Sequence, residues 1–260
     1  MQRLQQTPAE AQTEKVIVAG RPFGTPIELA GWDWLPVTPL VTWLVMARLA
    51  GQRQPGRSRG QRLAVGALNT VALLGSEWCH NLAHAAAARL VGKPMDALRV
   101  VGGMPLVVYH HPHDPSITPR QHILRSLGGP LFNAALLGVA WLLRRCMPPG
   151  SAWREAADTA VGMNKFLCTL SLLPVPNFDG EPVLKWSLVA AGRSLPEAEQ
   201  IVQQANAVTA PALGVATALA LKKRRRVWAS MFAMFGLFSA AAALGKLKEG
   251  NPLGGTNIGD

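Results

Sequence analysis

The chain has 260 residues, of which 49% are hydrophobic and only 16% are charged. The apolar residues form blocks near the roughly 17–25 residues that span a bilayer, at positions 35–50, 63–91, 123–143, 160–175, 207–221 and 227–245. This pattern predicts a multi-pass integral membrane protein. The alternative class is a soluble α-helical protein with an unusually apolar core.

The formal net charge of +11 comes largely from short loops between these blocks. Arginines fill the loop from Arg53 to Arg62, Arg144 and Arg145 end one block, and Lys222 to Arg226 separate the last two. Short basic loops are signals of membrane topology and favour anionic lipid headgroups. Because no DNA- or RNA-binding motif accompanies them, the charge predicts a lipid bilayer as partner and no nucleic acid.

The chain divides into four predicted regions: a polar N-terminal arm over 1–33, a first span and basic loop over 34–61, a core over 62–190 and C-terminal helical spans over 191–260. The core contains a long helix over 62–91 that ends at Gly92 and a β-rich segment over 98–109 with a Gly-Gly break. A further helix begins at Thr118 and Pro119, is N-capped by Thr118, and contains the apolar block 123–143. We expect an all-α membrane protein with about six apolar helices and a short β-hairpin after the first core helix.

Two histidines in His80-Asn81-Leu82-Ala83-His84 lie four residues apart in the first core helix. This spacing places both imidazoles on one helical face, where they can bind the same zinc ion. The zinc-protease motif H-E-x-x-H has a glutamate after the first histidine, which deprotonates water. Asn81 occupies that position and cannot take up a proton at neutral pH. The segment predicts a metal site and leaves the reaction open.

Glu77 lies on the same face, about 60° around the helix from His80 and one turn earlier. Its carboxylate is a candidate for the missing general base, for a further ligand, or for a group that orients an imidazole or a water molecule. It is also interpretable as an ion-pair or solvated channel residue. Helical side chains lean toward the N-terminus, so Glu77 leans away from a metal held between His80 and His84. Along the helix axis, Glu77 lies roughly 7 Å from the midpoint of the two histidines.

Asp179 follows a break in an apolar stretch. Pro174-Val175-Pro176 ends the helix predicted over 153–173, and an apolar segment resumes at 183–191. A charged side chain between helix breakers is costly in a membrane unless it faces a site. Asp179 is therefore a candidate metal ligand. The alternative is a cap for the helix that resumes at Pro182, and one carboxylate can serve both purposes.

Three further histidines, His110, His111 and His113, lie close together in a proline-rich loop. They are candidates for a gate, a proton relay or a second metal site. Neighbouring histidines in such a loop are also typical of a solvated surface.

Three segments in the same order resemble the motifs of the site-2 protease family of intramembrane zinc metalloproteases. The segment from His80 to Gly92 resembles H-E-x-x-H-A-x-x-A-R-x-x-G, and Gly129-Pro-Leu-Phe-Asn133 resembles G-P-x-x-N. The segment from Leu172 to Gly180 resembles N-L-L-P-x-P-x-L-D-G, with Ser171 in place of the first asparagine. The resemblance covers roughly residues 62–190.

The resemblance implies a three-helix core that binds Zn²⁺ through His80, His84 and Asp179, with an open fourth position. The metal would lie within the bilayer and be reached by a polar channel. Asn133 would lie near the site and orient a substrate strand, which would pair with the 98–109 hairpin. The implied partner is a transmembrane or membrane-anchored protein substrate.

Two functional hypotheses follow, and Asn81 separates them. The first is an intramembrane zinc metalloprotease that cleaves a membrane-protein segment in regulated intramembrane proteolysis. The second is a catalytically inactive relative that binds zinc and a membrane-protein partner without cleaving it. A third interpretation, a metal carrier that uses the histidine loop, fits the motif pattern least well.

Overall fold

The computed structural model describes residues 16–109 and 114–247. This part of the chain contains seven α-helices and one four-stranded sheet. The helices are α1 (Val37–Arg53), α2 (Arg59–Leu90), α3 (Pro119–Cys146), α4 (Ala152–Thr169), α5 (Gly180–Ala190), α6 (Leu195–Lys222) and α7 (Arg226–Ala243). The strands are β1 (Val16–Gly20), β2 (Ile27–Ala30), β3 (Ala97–Val101) and β4 (Met104–Val108).

Side-chain caps fix where the two central helices begin. Ser58 accepts a hydrogen bond from the Gln61 amide at the start of α2, and Thr118 accepts one from the Gln121 amide at the start of α3. Both glutamine side chains accept in return from the backbone amide of the cap, at 2.9 Å. Such reciprocal capping satisfies two amides that have no partner within the helix. The predicted Thr118 cap is confirmed, and Gly92, with φ +73°, lies just after the end of α2 as predicted.

The sheet has the order β1-β2-β3-β4. The predicted hairpin is confirmed, since β3 and β4 pair antiparallel from Ala97–Val108 to Val101–Met104. The fold is mostly helical as expected, but the sheet is larger than the expected hairpin, because β2 pairs in parallel with β3 and β1 pairs with β2. Parallel strands need a long connection, and here α1 and α2 provide it.

Three helices of the described ranges are long and apolar enough to cross a membrane: α3, α6 and α7. The predicted blocks over 35–50, 63–91 and 160–175 correspond to α1, α2 and α4. The first of these has only 17 residues, and the other two carry polar residues along their length. The described ranges thus contain seven α-helices, of which three qualify as spans on length and composition, where about six apolar helices were expected.

Close helix packing brings α2 and α3 together at the level of the histidines. A Cβ atom on Gly128 would lie 2.6 Å from the Ala87 Cβ and 2.8 Å from the Ala83 carbonyl oxygen. Real Cβ atoms do not approach other atoms so closely, so only glycine permits this distance between the helices. α2 also packs against α1 and α4, and α3 packs against α4 and α5. The histidine face of α2 is therefore enclosed by neighbouring helices.

Candidate metal centre

Three predicted ligands meet between α2 and the start of α5. The Nε2 atoms of His80 and His84 lie 3.1 Å apart. The Asp179 carboxylate approaches both, with Oδ2 at 3.2 Å from His80 Nε2 and Oδ1 at 3.0 Å from His84 Nε2. Among the described residues, this is the group of ligand-type side chains whose atoms converge closely enough to hold a metal ion.

Hydrogen bonds on the far side of each ring determine which nitrogen carries the proton. His84 Nδ1 lies 2.8 Å from the Arg125 carbonyl oxygen, which can only accept, and 3.4 Å from the Gly129 backbone amide. The shorter contact decides, so Nδ1–H donates to the carbonyl oxygen. His80 Nδ1 lies 2.6 Å from Asn133 Oδ1 and donates in the same way. In the neutral form, both rings therefore direct an Nε2 lone pair toward Asp179. Metal-binding histidines are commonly held by this kind of outer hydrogen bond.

The three groups that converge here are all hydrogen-bond acceptors. His80 and His84 are 6% and 4% exposed, and the Asp179 side chain is 17% exposed. Asp179 Oδ2 is buried, and apart from its approach to His80 Nε2 it has no hydrogen-bond partner within residues 16–109 and 114–247. Acceptors at 3.0–3.2 Å repel one another unless a proton or a cation lies among them. Two imidazoles and one carboxylate form the ligand set of a catalytic zinc site with an open fourth position, so the donor set fits that ion.

Asp179 occupies the N-cap position of α5, but its side chain makes no capping hydrogen bond. The sequence allowed Asp179 to be a helix cap as well as a metal ligand. The prediction of a side-chain cap was wrong, because the carboxylate turns toward the histidines instead. The preceding turn includes Asn177 at φ +67°. A Cβ atom on Gly180 would collide with the carbonyl groups of Leu172 and Leu173. The Asp-Gly pair thus places a carboxylate at a tight turn that only glycine can complete.

Gly129 gives the imidazoles their space. A Cβ atom at this position would lie 2.5 Å from His80 Cε1 and 2.7 Å from His80 Nδ1, and it would also collide with His84 Nε2. Any side chain here would displace the rings. The Gly129-Pro130 pair of the G-P-x-x-N segment therefore packs directly over the candidate metal centre.

Asn81 points back along α2 rather than toward the histidines. Its Nδ2 group donates to the Glu77 carbonyl oxygen at 3.0 Å and to the Glu77 carboxylate at 3.4 Å. Asn81 is 6% exposed, whereas Glu77 is half-buried. Asn81, at the position of the usual general base, thus contacts the carboxylate of Glu77, which the sequence suggested as a replacement base.

Asn133 is fully buried, and its amide is engaged by protein groups. Its Oδ1 accepts from His80, and its Nδ2 donates to Asn164 Oδ1 at 2.6 Å. This geometry favours orientation of His80 over the substrate contact predicted from the resemblance. Asn164, on α4, was missed from the sequence, where nothing local distinguishes it from other polar residues of an amphipathic helix.

The remaining predicted positions are further from the centre or undescribed. Ser171 is buried and its hydroxyl donates to the Leu167 carbonyl of the same helical segment, so it does not face the ligands. His110, His111 and His113 lie outside the described residues, and a gate or proton relay there stays a prediction.

Comparison with known proteins adds two relatives. No family model matches the sequence. A segment of 71 residues, 27% of the chain, is 39% identical to a protein of Methanocaldococcus jannaschii named "Putative zinc metalloprotease", of which it spans 37%. The solved structure of the site-2 protease from Methanocaldococcus jannaschii superimposes with a TM-score of 0.52 at 12% identity, covering 88% of this chain and 95% of the other. The chain therefore has the fold of a site-2 protease, and one segment of it is similar in sequence to the protein named as a putative zinc metalloprotease.

Proposed function

We propose that the chain is a zinc-dependent membrane protease that cleaves a transmembrane or membrane-anchored protein. The observation that carries this proposal is the convergence of two imidazole lone pairs on a buried carboxylate, with both ring tautomers set by hydrogen bonds. A purely structural histidine pair has no need for a third acceptor at 3.0–3.2 Å.

His80, His84 and Asp179 would hold Zn²⁺, the metal named for the M. jannaschii relative. Zinc in such a site polarises a carbonyl and makes water more acidic. The protein's own contribution is to keep both Nε2 atoms deprotonated and to exclude competing side chains. Arg125, Asn133 and Gly129 perform these tasks through the contacts described above.

The chain would act as a multi-pass membrane protein in contact with the bilayer. α3, α6 and α7 supply the apolar lengths for this. The basic residues 222–226 at the junction of α6 and α7 suit a position at the lipid headgroups.

A substrate strand would pair with β4, which lies at one edge of the sheet. Trp78 supports this position, because its indole N–H donates to the Gly103 carbonyl in the β3–β4 turn at 3.3 Å. The hairpin is therefore fastened to α2 next to Glu77. An extended substrate paired with β4 would pass close to the histidine face of that helix.

Glu77 would accept the proton that the usual glutamate takes in the family motif. It is the carboxylate on the histidine face of α2, and it accepts one hydrogen bond from Asn81 at 3.4 Å. A positioned base contributes about 10²–10⁴-fold to rate. The loop histidines His110, His111 and His113 are the other proposed proton acceptors.

Asn81 also favours the second function, a non-catalytic relative that binds zinc and a membrane-protein partner. A cleavage assay separates the two functions. The protein is reconstituted with zinc in lipid vesicles and incubated with several single-span membrane proteins, with His80→Ala/His84→Ala as the inactive control. Cleavage by the wild type that the control lacks supports the protease. Binding of a partner without cleavage, both in the wild type and in Asn81→Glu, supports the non-catalytic relative.

A further inference from the structure

We propose that Asn164 of α4 is a positioning residue that fixes the metal-binding tautomer of His80 through Asn133. This inference rests on the proposed zinc site. It concerns a residue that does not contact the ligands, and its action runs through a chain of hydrogen bonds whose direction is set by backbone carbonyl groups.

The first step is the orientation of the Asn164 amide. Its Nδ2 group donates to the Ala160 carbonyl oxygen at 2.9 Å and to the Ser76 hydroxyl oxygen at 2.9 Å. The Ser76 hydroxyl donates its own proton to the Ala72 carbonyl at 2.7 Å, so toward Asn164 it can only accept. Both N–H groups of Asn164 are therefore used, and its Oδ1 must face the other way.

The second step is the orientation of Asn133, which is 0% exposed. Asn164 Oδ1 lies 2.6 Å from Asn133 Nδ2, and the Ser76 carbonyl oxygen lies 3.4 Å from the same atom. Both are acceptors, so the Asn133 amide nitrogen must face them and its oxygen must face His80. A rotated Asn133 amide would place two oxygens in contact at a fully buried position.

The third step is the tautomer of His80. Because Asn133 presents an oxygen, His80 carries its proton on Nδ1 and leaves Nε2 free for a metal. Without Asn164, only the longer contact to the Ser76 carbonyl holds Asn133. Asn133 could then present its N–H to His80, which would move the His80 proton to Nε2 and block the metal position.

His84 provides an internal control. Its Nδ1–H donates to the backbone carbonyl of Arg125, which cannot rotate as an amide side chain can. A change at Asn164 should therefore alter His80 and leave His84 unchanged. A general loosening of the helices would affect both rings.

The tautomers are measured directly by NMR on metal-free protein with ¹⁵N-labelled histidine, at an alkaline pH where the imidazoles are neutral. The protein carries Asp179→Ala, so that no carboxylate competes for the Nε2 proton. With Asn164 present, His80 and His84 should both carry the proton on Nδ1. In Asn164→Ala, His80 should shift toward the Nε2–H form while His84 keeps its tautomer. An unchanged His80, or equal changes in both rings, would overturn the proposal. This measurement needs no bound zinc, so absence of zinc binding would refute the metal site without deciding the role of Asn164.

Zinc affinity gives the second readout. Loss of a residue that orients a ligand typically weakens binding about 10–100-fold, and because the Ser76 carbonyl contact remains, we expect about 10-fold for Asn164→Ala. The matched control is Thr159→Val, which removes a hydrogen bond from α4 to Asn69 of α2. Asn164 also joins α4 to α2, through Ser76. An equal loss of affinity in the control would show that the effect is only loosened packing.

A double variant tests the path through Asn133. Asn133→Asp presents an oxygen to His80 in either orientation, so the tautomer no longer depends on Asn164. Asn164→Ala should therefore cause no further loss of affinity when combined with Asn133→Asp. A persistent loss of about 10-fold would contradict the proposed path. If Asn164→Ala does not fold, the tautomer measured with Asn164 present still tests the proposal, because a His80 ring that carries its proton on Nε2 there would overturn it.

Discussion

Asn81 donates hydrogen bonds to both the carbonyl oxygen and the carboxylate of Glu77, at 3.0 and 3.4 Å. The residue that replaces the usual general base is thus coupled to the nearest carboxylate on the histidine face of α2. The contact restrains a half-buried side chain that would otherwise sample several rotamers. It gives Asn81 a defined structural role and makes Glu77 the first position to test.

Glu77→Gln should reduce turnover by about 10²–10⁴-fold, the usual contribution of a positioned base. Glutamine keeps the length and the hydrogen bond to Asn81 but cannot accept a proton at neutral pH. Zinc content should stay at the wild-type level, because Glu77 is not one of the converging ligands. Cleavage kinetics and metal analysis of the same preparation check both points. Unchanged turnover would remove Glu77 as the base and direct attention to His110, His111 and His113.

Asn81→Glu should raise turnover and partly rescue Glu77→Gln, since it restores a carboxylate at the position that the family motif uses. Asn81→Gln is the matched control, with the same length and no basicity. Turnover is compared across the single and double variants with one substrate. If the control raises turnover as much as Asn81→Glu does, side-chain length rather than proton transfer explains the effect.

Gly129→Ala should weaken zinc binding by about 10-fold or more, because the added Cβ would lie 2.5 Å from His80 Cε1 and force the ring to move. Gly138→Ala, in the same helix, is the control, since open space surrounds that position. The control should bind zinc normally and gain roughly 0.5–1 kcal/mol in stability from the better helix former. Normal zinc affinity in Gly129→Ala would show that the imidazoles do not need the position described here.

Local signals made much of the site predictable. The i, i+4 spacing of His80 and His84 and the helix break before Asp179 depend on residues close in sequence. The β3–β4 hairpin has a Gly-Gly turn between two short apolar runs, and it forms as expected. Gly128 is a small residue in an apolar helix, which is a local sign of close helix approach, and its contacts with α2 show that approach.

Other features depend on contacts between distant parts of the chain. β2 pairs with β3 although α1 and α2 lie between them in the sequence. A strand of four residues is too short for its hydrophobic periodicity to predict that pairing. Asn133 and Asn164 meet on different helices, 31 residues apart in sequence. A buried amide looks the same in sequence whether it orients a ligand or faces solvent, so the hydrogen-bond path to His80 needed the structure.

Glu155→Ala should lower the free energy of unfolding by about 3 kcal/mol, the lower end of the range for breaking a buried ion pair. Glu155 accepts two hydrogen bonds from Arg57, at 2.5 and 3.1 Å, and the Arg57 side chain is only 9% exposed. Removal of the carboxylate leaves that guanidinium buried without an opposite charge. Unfolding by denaturant in detergent micelles measures the change.

The control for this ion pair is Asp158→Ala on the same helix. Asp158 is 46% exposed and pairs with Arg144, so its loss should cost about 1 kcal/mol or less. Equal destabilisation by the two variants would contradict the view that Glu155 holds the α1–α2 loop to α4 through a buried pair.

The zinc content of the purified protein tests the central claim most directly. Metal analysis should find about one zinc ion per chain in the wild type, as one three-ligand site requires. It should find none in His80→Ala/His84→Ala, and a strongly reduced content in Asp179→Ala. Wild-type protein that binds no zinc, or a double variant that retains the full amount, would contradict a metal centre formed by His80, His84 and Asp179.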